Sequence, residues 1–211
     1  MWQAVWLSVV TGYLLGNLNG AVSVSTLLGK TDVRQQGSGN AGLTNFLRIY
    51  GPTKALLVVC IDVLKAVVAC MLGKQLLTPY GYGQEGLLIG AIAVSLGHDF
   101  PALLGFHGGK GVLCGITVAL MADWRCGLLA IVVFALCLWL TRYVSLGSVL
   151  GTAAFTIVFP IIHRQNGFVA AAGVFLGAFI IFMHRSNIVR LIKGIEKKAT
   201  FSKFHKDNTS T

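Results

Sequence analysis

A short glycine-rich stretch with a single lysine lies between two long apolar segments of this chain. Residues 105–111 read GFHGGKG. Glycine lets the backbone approach a ligand closely, and an ammonium beside free backbone N–H groups favours an anion. Gly108, Gly109 and Lys110 are therefore candidate phosphate-binding residues. The alternative interpretation is an interfacial lysine that extends its ammonium to lipid headgroups.

The same stretch departs from a nucleotide-binding P-loop at two positions. That motif requires Ser or Thr directly after its lysine and an additional glycine upstream. Here those positions are Gly111 and Leu104. Nucleotide hydrolysis is therefore not expected, and simple anion binding remains.

A second polar segment lies between the first and second apolar runs of the chain. Residues 37–48 read GSGNAGLTNFLR, which formally matches GxGxxG, but no βαβ unit surrounds the match, so a dinucleotide site is excluded. Ser38, Asn40, Asn45 and backbone N–H groups can hydrogen-bond phosphate oxygens, and the Arg48 guanidinium can bind phosphate through two parallel bonds. An ordinary flexible loop is the alternative.

Polar residues recur at the ends of later apolar segments. No histidine is followed five positions later by Asp, so a His-x-x-x-x-Asp base dyad is absent, and His98 is either a structural residue or a substrate contact. His184 and Asn187 stand at i and i+3 on what we expect to be a continuing helix, so they would share one face and could orient a polar ligand. Ser145 and Ser148 are undecided, because serines in membrane helices often bond to their own backbone.

One acidic and one basic residue, Asp62 and Lys65, lie in the middle of an apolar run. Ionisable residues at such depth suggest function by default. They could equally neutralise each other inside a helix bundle. The sequence leaves both interpretations open.

The composition indicates a polytopic membrane protein. Of 211 residues, 55% are hydrophobic and 11% are charged, whereas soluble domains carry about 25% charged residues. The net charge of +10 comes from residues scattered over loops and a tail, so nucleic-acid binding is not expected. The five cysteines lack CxxC spacing and the seven acidic residues are dispersed, so we expect no metal site and no cofactor.

Apolar runs predict the fold class: an all-α membrane protein built as a seven-transmembrane-helix bundle. Thirteen Lys and Arg residues on one side of the predicted spans against three on the other place the N-terminus outside and the C-terminus in the cytoplasm. The polar loops then face the cytoplasm. We expect one membrane domain over residues 1–200 and a basic polar cytoplasmic tail over 201–211. The predicted spans are residues 4–28, 54–72, 86–104, 112–122, 126–140, 144–162 and 168–183.

Three segments taken in order give the chain a resemblance to a known family. They are residues 37–48, residues 97–111, and residues 142–146 together with 184–191; the run DVLK at 62–65 also fits. In order, spacing and chain length, the sequence resembles the bacterial acyl-phosphate-dependent glycerol-3-phosphate acyltransferases, which are integral membrane enzymes. Two departures are minor: Leu43 stands where the family often has Ala, and the residue at His107 varies in type.

The resemblance implies transfer of a fatty acyl group from acyl phosphate to the 1-hydroxyl of sn-glycerol 3-phosphate, at the cytoplasmic face of the bacterial inner membrane. Both substrates and membrane lipid are the expected partners, with no obligate protein partner. By similarity, Ser38, Arg48 and Lys110 would bind phosphate, and Lys110 would also stabilise the oxyanion. Catalytic positioning would fall to Ser145, His184 and Asn187. Asn40, Asn45, His98, Gly108 and Gly109 are the remaining predicted substrate-binding residues.

The general base is left open by the residues: His184 is one candidate and a substrate phosphate oxygen is the other. Three other functional classes fit the residues less well. A non-catalytic scaffold is disfavoured by the accumulation of phosphate-binding groups. A transporter or lipid flippase would use Asp62 and Lys65, but it needs polar access from both faces of the membrane. A phosphatidyl or polyprenyl-phosphate transferase usually has clustered acidic residues for divalent metals, and none are clustered here.

Overall fold

The computed structural model describes residues 1–199, which form helices and no strand, so the predicted all-α class is confirmed. The predicted tail at 201–211 lies outside the described residues. Short 3₁₀ turns at Val33–Gln35, Thr78–Tyr80 and Ala102–Leu104 separate some of the helices. The α-helices are α1 (Trp2–Asn17), α2 (Gly20–Leu27), α3 (Leu43–Tyr50), α4 (Pro52–Leu77), α5 (Gly83–Asp99), α6 (Val112–Ala122), α7 (Trp124–Thr141), α8 (Val144–Ile162), α9 (Gly167–Met183) and α10 (Arg185–Ile192).

Four of the described helical segments are long and apolar enough to cross a membrane, and two bent helix pairs bring the number to six. The bent pairs are α1 with α2 and α9 with α10. Helix α6 has 11 residues, so it is about 16 Å long and shorter than the roughly 30 Å hydrocarbon layer. Seven spans, and the orientation of the termini, therefore stay predictions that depend on α6.

The first predicted span is broken in the structure. Between α1 and α2 the chain bends by 46°. The Asn19 side chain accepts a hydrogen bond from the Val22 N–H at 3.1 Å, so Asn19 caps a new helix instead of continuing the old one. The Asn–Leu–Asn–Gly run at residues 17–20 was overlooked as a helix boundary, and it leaves backbone carbonyls of the break in need of donors.

Small residues let α5 pack closely between α1 and α4. A Cβ added to Gly16 would lie 2.7 Å from the Cα of Gly97, and one on Gly86 would lie 2.8 Å from the Leu77 Cβ. Membrane helices associate through such close backbone approach. The consequence for the site is positional: the end of α5, which carries His98 and Asp99, is held firmly between two other helices.

Candidate functional site

An open cleft of about 590 Å³ lies where the loop at 105–111 meets the loop at 37–42 and the start of α10. Asn40, Gly108, Gly109 and Lys110, which the sequence predicted from separate motifs, all line it. The cleft is therefore the place where three distant parts of the chain converge. Its other lining residues are Asp32, Arg34, Gln35, Gly39, Asp99, Phe100, Phe106, His107, Met183, Arg185 and Ser186.

The loop before α3 is organised by the side chain of Asn45, which is 2% exposed. Its Oδ1 accepts from the Ser38 N–H at 2.9 Å. Its amide group donates to the carbonyls of Val33, Gln36 and Asn40 at 3.0, 3.1 and 3.1 Å. This amide is occupied by four backbone groups, so the structure places Asn45 as the centre of the loop. Direct contact of Asn45 with a substrate stays a prediction.

Arg34 ties this loop to the glycine-rich loop, a role that sequence reasoning missed. Its guanidinium pairs with Asp32 at 2.7 Å and donates to the carbonyl of Leu104 at 2.9 Å. A longer bond, at 3.3 Å, reaches the carbonyl of His107. The Asp-x-Arg pattern at 32–34 could have indicated this role of Arg34, because an aspartate two residues before an arginine can hold its guanidinium in one orientation.

The two central glycines of the 105–111 loop are required by close contact. The Gly108 and Gly109 N–H groups donate to the carbonyls of Asp99 and His98, each at 3.2 Å. A Cβ on Gly108 would run into the His98 carbonyl and lie 2.7 Å from that of Asp99. The expectation that these N–H groups are free to bind an anion is therefore wrong for both, since folding the loop back onto α5 uses them. Gly108 and Gly109 still line the cleft, as predicted.

Lys110 joins this loop to α10. Its ammonium donates to the Asn187 side-chain oxygen, and the Asn187 amide donates in turn to Glu196 Oε1 at 2.7 Å. The Ser145 hydroxyl donates to the same oxygen at 2.7 Å. Lys110, Asn187 and Ser145, which were predicted as catalytic, thus belong to one hydrogen-bonded network centred on an acidic residue.

That acidic residue, Glu196, was not predicted. The Arg190 guanidinium binds its second oxygen at 2.6 Å. Burial alone would raise the pKa of Glu196, but the hydrogen bonds from Ser145, Asn187 and Arg190 outweigh it and lower the pKa below its ordinary value. A single carboxylate in a strongly basic segment was the signal that could have revealed it.

The segment after α10 is held against the start of α8. The Ala199 N–H donates to the Arg142 carbonyl at 2.8 Å, and the Lys198 ammonium lies 5.3 Å from the centre of the Tyr143 ring. These contacts bring Glu196 back to Ser145 and close the network.

The charge of Lys110 is sensitive to its surroundings. Burial lowers the pKa of its ammonium, and the positive charge of Arg190 lowers it further, while Glu196 opposes both. An anion bound in the cleft would favour the charged form of Lys110 for the same electrostatic reason.

His184 does not continue α9 as expected, because the chain bends by 55° between α9 and α10 and His184 stands at the bend. His184 and Asn187 are nevertheless both buried, at 3% and 8% exposure. The His184 Nδ1 lies 2.8 Å from the Ile180 carbonyl. Because a carbonyl only accepts, Nδ1 carries the proton and Nε2 keeps its lone pair, as a general base requires.

The remaining predicted residues do not line the cleft. Ser38 and Arg48 are exposed, Ser38 on the loop and Arg48 on α3. His98 is buried, with its Nδ1 2.7 Å from the Lys65 ammonium. Ser148 differs from Ser145: it donates to the Val144 carbonyl at 2.9 Å and lines an apolar pocket between α6, α7, α8 and α9.

Comparison with known proteins gives consistent matches over nearly the whole chain. A family model described as glycerol-3-phosphate acyltransferase matches residues 6–194. Glycerol-3-phosphate acyltransferase of Thermoanaerobacter pseudethanolicus is 38% identical over 192 residues, covering 91% of this chain and 94% of the relative. The enzyme of that name from Clostridioides difficile is 39% identical over 192 residues, covering 90% and 92%.

A solved structure shares the fold. The crystal structure of PlsY, an integral membrane glycerol 3-phosphate acyltransferase, in its glycerol 3-phosphate form matches with a TM-score of 0.82 and 31% identity. The match covers 93% of this chain and 96% of that one. The lysophosphatidic acid form of PlsY matches with a TM-score of 0.80.

Proposed function

The chain belongs to the glycerol-3-phosphate acyltransferase family and is a multi-pass membrane acyltransferase, and we propose that its donor is an acyl phosphate. The acceptor is the 1-hydroxyl of sn-glycerol 3-phosphate, and the products are lysophosphatidic acid and inorganic phosphate. The reaction takes place at the cytoplasmic face of the bacterial inner membrane, with the N-terminus outside and α6 as a seventh, short span.

The observation that carries the proposal is the concentration of cations around one cleft. Lys110 and Arg185 line it, and Arg190 lies close enough to Lys110 to lower its pKa. Arg34 also lines the cleft but is paired with Asp32, as Arg190 is with Glu196. Two phosphorylated substrates in one cleft repel each other, and fixed cations that are already in position offset this repulsion without reorganisation. Arg48, exposed on α3, adds a cation for the phosphate of the acceptor.

Acyl transfer proceeds by direct attack, without a covalent enzyme intermediate, because acyl phosphate is already an activated mixed anhydride. The glycerol oxygen forms a bond to the carbonyl carbon, and the bond from that carbon to the phosphate oxygen breaks. Lys110 stabilises the negative charge that develops on the carbonyl oxygen and on the departing phosphate. Alignment of the two substrates can itself contribute about 7–11 kcal/mol.

The proton of the attacking hydroxyl goes to the His184 Nε2 or to a phosphate oxygen of a substrate. The Nδ1 contact with the Ile180 carbonyl leaves Nε2 able to accept it. Ser145 and Asn187 position the acceptor through the Glu196 network. The acyl chain lies in the apolar pocket that begins one helical turn below these residues, at Val112 of α6, Ser148 of α8 and Ile180 of α9.

Product analysis tests the acceptor. Purified protein in lipid vesicles receives palmitoyl phosphate with either glycerol 3-phosphate or its analogue lacking the 1-hydroxyl, and products are identified by mass spectrometry. We expect a 1-acyl product from glycerol 3-phosphate and none from the analogue. Equal acylation of both acceptors would overturn the assignment of the 1-hydroxyl.

A further inference from the structure

Asp62, Lys65 and His98 form one buried cluster behind the cleft. The Lys65 ammonium lies 2.8 Å from Asp62 Oδ1 and 2.7 Å from His98 Nδ1. The three residues are 2%, 3% and 4% exposed. Burying two full charges costs several kcal/mol for each ion, and a well-packed apolar pair would often be as stable. The cluster therefore calls for an explanation other than stability.

Part of the explanation is the break between α1 and α2. Lys65 also donates to the Leu18 carbonyl at 2.8 Å, and Asp62 Oδ1 accepts from the Gly20 N–H at 3.1 Å. The backbone groups that the break leaves without helical partners are thus bonded by this pair. Asn19, within the same break, donates to the Ala41 carbonyl at 3.0 Å, so the cluster is connected to the loop at 37–42.

The contact between Lys65 and His98 determines where the histidine proton lies. An ammonium has hydrogen-bond donors and no acceptor. Nδ1 of His98 must therefore present its lone pair to Lys65, which makes the ring neutral and places its proton on Nε2. This is the opposite tautomer to that of His184.

The Nε2 edge of His98 faces the junction of the two loops that line the cleft. A Cβ added to Gly109 would run into Nε2 and would lie 3.1 Å from the Ala41 carbonyl. Within residues 1–199, the hydrogen bond of the His98 ring is the Nδ1 contact with Lys65, and Nε2 is not among the fully buried polar atoms that lack a partner. His98 itself does not line the cleft, but its Nε2–H lies directly behind Gly109, which does, between the loop at 37–42 and the loop at 105–111.

We propose that Asp62 and Lys65 are positioning residues that hold His98 as a neutral Nε2–H donor to an anionic oxygen of the substrate in the cleft. Asp62 keeps the Lys65 ammonium charged at this depth, and Lys65 keeps the His98 proton on Nε2. This inference rests on the proposed function only for the chemical nature of the oxygen that receives the hydrogen bond.

The tautomer is measured directly by nitrogen NMR. Protein with ¹⁵N-labelled histidine is reconstituted in lipid at pH 7, and the His98 signals are assigned by their loss in His98→Gln. We expect one protonated ring nitrogen, identified as Nε2. A protonated Nδ1, or a doubly protonated ring, would overturn the proposal whether or not any variant folds.

A double variant tests the role of the pair. Asp62→Asn/Lys65→Met removes both charges together, so it leaves no buried unpaired ion. We expect His98 to populate both tautomers and kcat to fall by about 10- to 1,000-fold, since loss of one preorganised hydrogen-bond donor typically costs about 10²–10³-fold in kcat. Ser95→Ala is the matched control. Ser95 is buried one turn away on α5, and among residues 1–199 its hydroxyl bonds only to the Ala91 carbonyl of its own helix.

The two hypotheses fail in different ways. Wild-type protein that is inactive with acyl phosphate and glycerol 3-phosphate contradicts the proposed function, while the NMR arm still tests the tautomer. A folded double variant with unchanged kcat and an unchanged His98 spectrum contradicts the positioning role, even if the wild type is fully active. A fall in kcat with the spectral change, and with Ser95→Ala unaffected, supports it.

Discussion

Lys110 donates a hydrogen bond to the side-chain oxygen of Asn187, 77 residues further along the chain. The contact joins the glycine-rich loop before α6 to α10. Through Glu196 it extends to Ser145 at the start of α8. Lys110 is thus positioned by Asn187 directly and by Glu196 through Asn187, although these residues lie far from it in the sequence.

The first prediction concerns the charge of Lys110. Lys110→Ala is expected to lower kcat by about 10²–10³-fold, because it removes a preorganised stabiliser of developing charge. The assay is phosphate release by protein in lipid vesicles. Lys74→Ala is the control. Lys74 lies in the last turn of α4 and does not line the cleft, so this variant is expected to retain full activity. Near-normal turnover of Lys110→Ala would count heavily against this site.

The charge of Lys110 should also make the enzyme's activity depend on pH. Its pKa is lowered by burial, so activity that requires its positive charge is complete at low pH and is lost as pH rises, beginning below its ordinary pKa of 10.5. A guanidinium stays charged throughout this range. In a pH profile of kcat/KM, Lys110→Arg should therefore lose the alkaline decline in whatever activity it retains. An identical decline in both proteins would show that another group causes it.

Arg48→Ala is expected chiefly to raise the KM for glycerol 3-phosphate. Arg48 is exposed on α3, so its loss should leave folding intact. A charged hydrogen bond contributes about 1.5–3 kcal/mol, which corresponds to a rise in KM of about tenfold or more. Steady-state kinetics with the acceptor varied measures the effect. A fall in kcat at unchanged KM would contradict a role in binding the acceptor.

Glu196 is expected to stabilise the protein above acidic pH. Its pKa is lowered in the folded state, so the stabilisation is fully present above its unfolded pKa and is lost as pH falls through the lower folded value. Glu196→Gln should lower the Tm at pH 7, and the difference from wild type should shrink below about pH 4.3. Thermal unfolding in detergent checks this. A difference in Tm that stays constant down to pH 3 would exclude the ionised carboxylate as its cause.

Asn45→Ala is expected to loosen the loop at 33–42. Removing an amide that bonds four backbone groups leaves buried donors and acceptors unsatisfied, at about 1–3 kcal/mol for each group. Hydrogen exchange should show faster exchange at the Ser38 N–H. Thr44→Ala, an exposed neighbour on α3, is the control. Unchanged exchange combined with lost substrate binding would instead favour direct contact of Asn45 with substrate.

The convergence of the polar motifs could be predicted from the sequence, because the charge bias predicts that their loops lie on one side of the membrane. Asn40, Gly109 and Lys110 do share one cleft. The residues that hold them were harder to predict. Glu196 reaches Ser145 only because the chain after α10 folds back onto Arg142, and no local pattern encodes that return.

The breaks between α1 and α2 and between α9 and α10 were also hard to predict from the sequence. The break before α2 carried a usable signal in its asparagines and Gly20, yet hydropathy alone merged α1 and α2. The bend at His184 has neither proline nor glycine, so tertiary contacts must set it. Asp62 and Lys65 were recognised as a pair, but the orientation of the His98 ring between them and Gly109 emerges only from the packing of α5 against α4.

Donor-dependent phosphate release tests the proposed reaction most directly. Purified protein in lipid vesicles receives glycerol 3-phosphate with either palmitoyl phosphate or palmitoyl-CoA, and phosphate and lysophosphatidic acid are both quantified. We expect equal amounts of the two products with palmitoyl phosphate, and phosphate release only when glycerol 3-phosphate is present. Lysophosphatidic acid formed from palmitoyl-CoA alone, with palmitoyl phosphate inert, would contradict the proposed reaction.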